Sequence, residues 1–250
     1  MFKVTLTNPL IIGSTELKPN FEGTGITING ITVTPSSVIH SRDRVDIREG
    51  DHIVYLIEHH IAALTLTGIT DAHIISHRTE WNFYRPEDRA AYSTRSEPCM
   101  VLGDPNGVIG TQLVKSLVNA SKTTLKIIHP YVKPSKPVEI ELEENGFIHL
   151  TPLEKDNIAV IKLGFKNSKI KTIFKTTYPN ISKTLLYKIS NSITPFLSDN
   201  EITIYHVLGD LIGDLIGIGK IIGVEIQASL KNSYHLLTFK LIQKIMSTIE

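Results

Sequence analysis

The chain has 250 residues, 41% of them apolar and 20% charged, which describes a globular protein with material for one large domain or two ordinary ones. Its formal net charge of +1 leaves no global field to draw nucleic acid or a strongly acidic partner. The one cysteine, Cys99, excludes an internal disulfide and fits a reducing compartment. The stretch MFKVTLTNPLIIGSTELKP has no charged n-region followed by a long apolar run, so the expectation is no signal peptide and a cytoplasmic location.

The first forty residues alternate short β-like runs (KVTLT, ELKP, GITINGITVTP) with glycine and asparagine, the pattern of a β meander. Arg42 to Arg48 reads as a mixed-charge strand or turn. From His52 the spacing of Val54, Ile57, Ile61 and Leu64 predicts a helix, capped near Gly68, with a return to strand from Asp71. This helix is apolar nearly all round. Its Glu58, His59 and His60 are therefore expected to face a cavity or site rather than water.

His77 to Gly107 reads as a loop-rich excursion ending in a turn at Asp104-Pro105-Asn106-Gly107, and Gly110 to Ala120 as a short amphipathic helix. Lys133 to Pro137 is the best linker in the chain, which divides it into residues 1–130 and 131–250. The β pattern then restarts, with Glu144-Asn145-Gly146 as a hairpin turn. The basic run Lys162 to Lys175 reads as a solvated strand face. Thr184 to Phe196 is predicted helical, and a further helix starts after a Ser198-Asp199-Asn200 cap. Each half thus runs through strands, helices and strands. The predicted class is α+β, built from two β-α-α-β units.

The last of these helices carries the chemistry. His206, Asp210 and Asp214 recur every four residues and share one helical face. Two carboxylates among Ile, Leu and Gly need partners to offset their desolvation. A metal is one such partner, provided a third ligand comes from elsewhere; the bland alternative is a buried helix with polar residues at its edge. His59 is the candidate third ligand, and three protein ligands leave one position for water, as catalytic zinc requires. Glu58 then stands where a general base is needed. His235 could serve as the acid that protonates a leaving amine, oriented by Asp214. A His/His/Asp set does not choose firmly between Zn2+ and Fe2+. Leu211 to Ile226 is the only membrane candidate. Asp214, Lys220, Glu225 and its glycines favour a buried core helix, so no stable membrane insertion is expected.

Taken together, IEHHIAALTLTGITDAHI, HVLGDLIGDLIGIGKIIG and SYHLLTFKL resemble the zinc-dependent UDP-3-O-acyl-N-acetylglucosamine deacetylases of lipid A biosynthesis (the LpxC family). Smaller echoes are Leu17-Lys18-Pro19, Thr24-Gly25-Ile26 and Ser96-Glu97-Pro98. The resemblance runs along most of the chain in the same order. It implies zinc on His59, His206 and Asp210, Glu58 as base, and His235 with Asp214 behind it as the protonated partner. It implies two sandwich domains with helices packed between two sheets and the site at their junction. The implied substrate is a small molecule, an N-acetylated amino sugar that is UDP-linked and acylated.

Three departures stand out. Only Ser168 to Asn200 remains where the family carries an insert for the acyl chain, and no counterpart of its oxyanion threonine is identified. Val207 replaces the basic residue that usually follows the first zinc histidine of the second domain. The alternatives are therefore a deacetylase for a smaller, non-lipid amino sugar, or a zinc-binding relative without catalysis. Gly217-Ile-Gly219 has the wrong spacing for a dinucleotide fingerprint and reads as close helix packing.

Overall fold

A computed structural model describes residues 1–13, 15–40, 45–76, 100–101, 108–128, 130–166, 171–192, 203–231 and 234–248. The chain is α+β, as its patterning predicts. In order it forms β1 (Phe2–Leu6), β2 (Leu10–Ile12), β3 (Thr15–Pro19), β4 (Ile26–Ile28), β5 (Ile31–Thr32), β6 (Val38–His40), β7 (Val45–Glu49) and β8 (His52–Tyr55). Next come α1 (Glu58–Leu66), β9 (Ala72–Ser76), β10 (Met100–Val101), α2 (Val108–Asn119) and β11 (Lys122–Ile128). The second half has β12 (Val138–Leu142), β13 (Gly146–Pro152), β14 (Ala159–Lys166), β15 (Lys171–Tyr178), α3 (Lys183–Ser192), α4 (Ile204–Ile212), β16 (Val224–Leu230) and α5 (His235–Met246).

Two sheets repeat one plan. The first runs β2-β3-β9-β4-β5 and the second β12-β13-β16-β14-β15. In each, the central strand (β9 or β16) pairs antiparallel with one neighbour and parallel with the other, and both outer pairings are antiparallel. The two sheets thus share strand order and strand sense. The second half follows the order strands, α3, α4, β16, whereas β9 separates α1 from α2 in the first. Two smaller sheets, β10-β8-β7-β6 and β1-β11, complete the described strands.

The hairpin at Glu144-Asn145-Gly146 forms as expected. Gly146 has φ 104, and a Cβ there would run into the Ser229 carbonyl of β16, so only glycine serves. The helix predicted from His52 begins later. Residues 52–54 pair with β7 through the turn at Gly50 and Tyr55 pairs with Val101 of β10, because β-branched and aromatic side chains favour a half-buried strand. Leu56, with φ 60, then turns the chain into α1, and its N–H donates to Asp46 Oδ1 at 3.1 Å. The Ser198-Asp199-Asn200 cap, the Asp104 turn and Cys99 lie outside the described residues. The described cap of α4 is Thr203, whose side chain accepts from the His206 N–H.

All nine residues of α1 are buried. It packs on α2 from its own half and on α4 from the other; α3 bridges α2 and α4, and α5 lies on β12 and β13. After Ile212 the backbone of α4 widens into a π-helix, Gly213–Ile218, which also lies against α1. No helix among the described residues is long and apolar enough to cross a membrane.

Candidate metal centre

Contact between α1 and the π segment sets the site. A Cβ on Gly213 would sit 3.1 Å from the Ala62 Cα, and one on Gly217 would reach 2.7 Å from Ile61 Cγ2 and closer still to Thr65 Oγ1. Bare backbone on one helix and alanine on the other let the axes approach further than larger side chains would permit. Gly217 therefore serves close packing, as its spacing suggested. On the other side, Gly219 faces Ile242 of α5.

That approach brings His59 of α1 beside His206 and Asp210 of α4. The two imidazoles meet edge to face with ring centroids 5.2 Å apart. His206 Nε2 lies 3.1 Å from Asp210 Oδ2, and His59 Nε2 lies 3.8 Å from Asp210 Oδ1. One potential ligand atom from each residue falls within 4.8 Å of the others, and all three residues are buried, so the cluster could hold a metal ion. Two further observations fit a divalent cation. Asp210 is 0% exposed, and among the described residues its Oδ1, like that of Asp214, accepts no hydrogen bond, which leaves a lone pair that a cation would satisfy. His206 Nδ1–H donates to the Ser192 carbonyl at 2.7 Å, so Nε2 is the nitrogen turned toward the cluster and Asp210 Oδ2.

Glu58 precedes His59 on α1, and its Oε2 accepts the Val45 N–H at 3.1 Å; the Val45 carbonyl accepts the Ile57 N–H at 2.9 Å. Strand β7 thus clamps the start of α1. Across the site, His235 opens α5. Its Nδ1–H donates to Asp214 Oδ2 at 2.8 Å, and its Nε2 points into the cluster, 3.8 Å from Asp210 Oδ2. Thr238, one turn further along α5, donates to the same Asp214 oxygen at 2.7 Å. The hydroxyl of Tyr234 donates to Asp210 Oδ2.

Burial pushes the Glu58 carboxyl up to about 8, against the opposing charge of His235. A bound cation would draw it back down, since positive charge favours the carboxylate. Burial pushes His59 down to about 3, with Asp210 opposing, so His59 is a neutral imidazole, the form that ligates. For Asp210, burial acts upward, but the charge and hydrogen bond of His206 outweigh it and hold the acid below the ordinary carboxylate range. His235 is pushed up to about 10: burial opposes, but Asp214 wins through charge and hydrogen bond. Asp214 thus favours the protonated imidazole, and a bound cation would act against it.

The structure brings together Glu58, His59, His206, Asp210, Asp214 and His235. Sequence reasoning missed Tyr234 and Thr238. Thr238 had a signal, the i+3 spacing from His235 that puts it on the same helical face. Tyr234 had none beyond adjacency. His60 is also buried; among the described residues neither of its ring nitrogens has a hydrogen-bond partner, and it is not one of the clustered ligands. Val207 is 0% exposed. No family model matches the chain, and no curated protein matches it.

Proposed function

We propose that the protein is a metal-dependent N-deacetylase that hydrolyses the acetyl amide of an N-acetylated amino sugar, with the UDP-3-O-acyl-N-acetylglucosamine reaction of lipid A biosynthesis as the first candidate. The reading rests above all on Glu58 and His59 from one half meeting His206, Asp210, Asp214 and His235 from the other around the unpartnered Asp210 Oδ1. His59, His206 and Asp210 would hold Zn2+, or Fe2+ in its place. When bound, that ion lowers the pKa of water and polarises the acetyl carbonyl.

The remaining work falls to the chain. Glu58, fixed by the Val45 N–H, takes the proton as water attacks the carbonyl carbon. His235 carries a proton on Nε2, aimed into the site, and delivers it to the sugar nitrogen as the C–N bond breaks; acetate and the free amine leave. Asp214 holds the tautomer and orientation of His235, and Thr238 holds Asp214. In this reading the two matching sheets belong to two sandwich domains, residues 1–130 and 131–250, with the site where their helices meet. The substrate is a small molecule met in the cytoplasm.

A second reading narrows the substrate. Val207, fully buried, stands where the LpxC family usually has a basic residue that assists substrate binding, and only Ser168 to Asn200 remains where that family carries its acyl-chain insert. Both favour a smaller, non-lipid amino sugar. The first experiment is elemental analysis of the wild-type protein beside His59→Ala and His206→Ala. One zinc or iron per chain, lost in both variants, is expected; absence of stoichiometric metal, or metal indifferent to both substitutions, refutes the reading. Turnover of UDP-3-O-acyl-N-acetylglucosamine against short N-acetylglucosamines then separates the two substrates.

A further inference from the structure

Asp210 presents two oxygens with unlike surroundings. Oδ2 accepts from the Tyr234 hydroxyl and faces two imidazole nitrogens, His206 Nε2 at 3.1 Å and His235 Nε2 at 3.8 Å. Oδ1 has no hydrogen-bond partner among the described residues and faces His59 Nε2 at 3.8 Å. A carboxylate with both oxygens free can turn about its Cβ–Cγ bond and bind a cation through either oxygen or both. The two sides of Asp210 are not interchangeable, and the group that distinguishes them is a phenol from α5.

Tyr234 is well placed for this. It is 3% exposed and caps the start of α5, and its ring packs on the His235 imidazole with centroids 4.8 Å apart. Its position is therefore fixed by the backbone turn that also delivers His235. A buried phenol needs an acceptor, and Asp210 Oδ2 supplies it.

Resting on the metal-site reading above, we propose that Tyr234 is a positioning residue that ties up Asp210 Oδ2, so that the carboxylate meets the metal through Oδ1 alone and does not swing onto His235. Loss of the hydroxyl has two consequences. Oδ2 is released toward the cation, which changes the coordination number. Oδ2 is also free to close on His235 Nε2, which draws the proton donor away from a substrate. Outer-shell partners of metal ligands typically contribute 10–100-fold to metal affinity.

The test uses the full chain loaded with Zn2+ or Co2+ alone. Tyr234→Phe keeps the ring and removes only the hydroxyl. Chelator competition should show zinc bound about 10–100-fold more weakly than by wild type. The visible band of the cobalt protein should weaken as a four-coordinate site gains a fifth ligand. Thermal unfolding of the chelator-treated variant checks its fold. If it fails to fold, 3-fluorotyrosine at position 234 keeps the bond but makes the donor stronger, and it should shift the cobalt band without loss of metal. Wild-type affinity and an unchanged spectrum in Tyr234→Phe, or an unshifted band with 3-fluorotyrosine, overturn the proposal for Tyr234 alone. A wild-type chain that binds no metal overturns the metal-site reading with it.

Discussion

Gly217→Ala tests the idea that helix approach, rather than the ligands alone, builds the site. The added methyl would stand 2.7 Å from Ile61 Cγ2 and closer to Thr65 Oγ1. Thr65 cannot simply rotate away, because its hydroxyl donates to the Ile61 carbonyl at 2.7 Å inside a fully buried helix. Relief requires α1 and the π segment to separate by roughly 1 Å, and overpacking of this kind costs about 1–3 kcal/mol. Alanine recovers up to about 1 kcal/mol of backbone preference, which leaves a net loss of about 0–2 kcal/mol when all of it is recovered. For a chain of this size that corresponds to a fall in Tm of up to roughly 8 °C. Zinc affinity should fall as well, since His59 rides on α1 while ligand distances tolerate only about ±0.2 Å. Differential scanning calorimetry and chelator competition read the two effects, and adding Thr65→Ala should restore part of both. An unchanged Tm together with unchanged zinc affinity would refute the reasoning.

Two other variants probe different parts of the molecule. Glu58→Gln preserves an acceptor for the Val45 N–H and should retain metal, while deacetylase turnover drops about 10²–10⁴-fold; a variant with full turnover would remove Glu58 from the mechanism, and loss of metal would make it structural. At the far end of the helices, burial pushes the Lys220 ammonium down to about 8, against the Asp71 carboxylate and with the Lys3 charge adding to it. The unfolded chain holds that proton to about pH 10.5, so the stability cost is full below pH 8 and fades as pH rises from 8 to 10.5. Lys220→Met should therefore melt higher than wild type at pH 7, with the gap closing by pH 10.5; a gap that widens with pH would reverse the assignment.

Much of this protein was legible before any coordinates. Spacings of four residues put His206, Asp210 and Asp214 on one face because a helix turns every 3.6 residues, and that geometry is local. The Glu144-Asn145-Gly146 hairpin and the repeated strand pattern were readable for the same reason: turn chemistry and side-chain alternation act between near neighbours. Local pattern failed at His52 to Tyr55, where apolar spacing suited a helix. Pairing with β7 decided for strand, and that partner is chosen by long-range contact.

The sequence by itself determined which chemical groups are present and which share a helix or adjoin one another in the chain, as Glu58 and His59 do. Tertiary structure alone decided that α1 of one half touches α4 of the other, that the π turn follows Ile212, and that Asp210 Oδ1 is left without a donor while Tyr234 occupies Oδ2. The reason is physical. Covalent neighbours and helical periodicity set directions within a segment, but the oxygen that receives a hydrogen bond depends on what another segment brings to it across a packed interface, and close packing fixes that approach to fractions of an ångström.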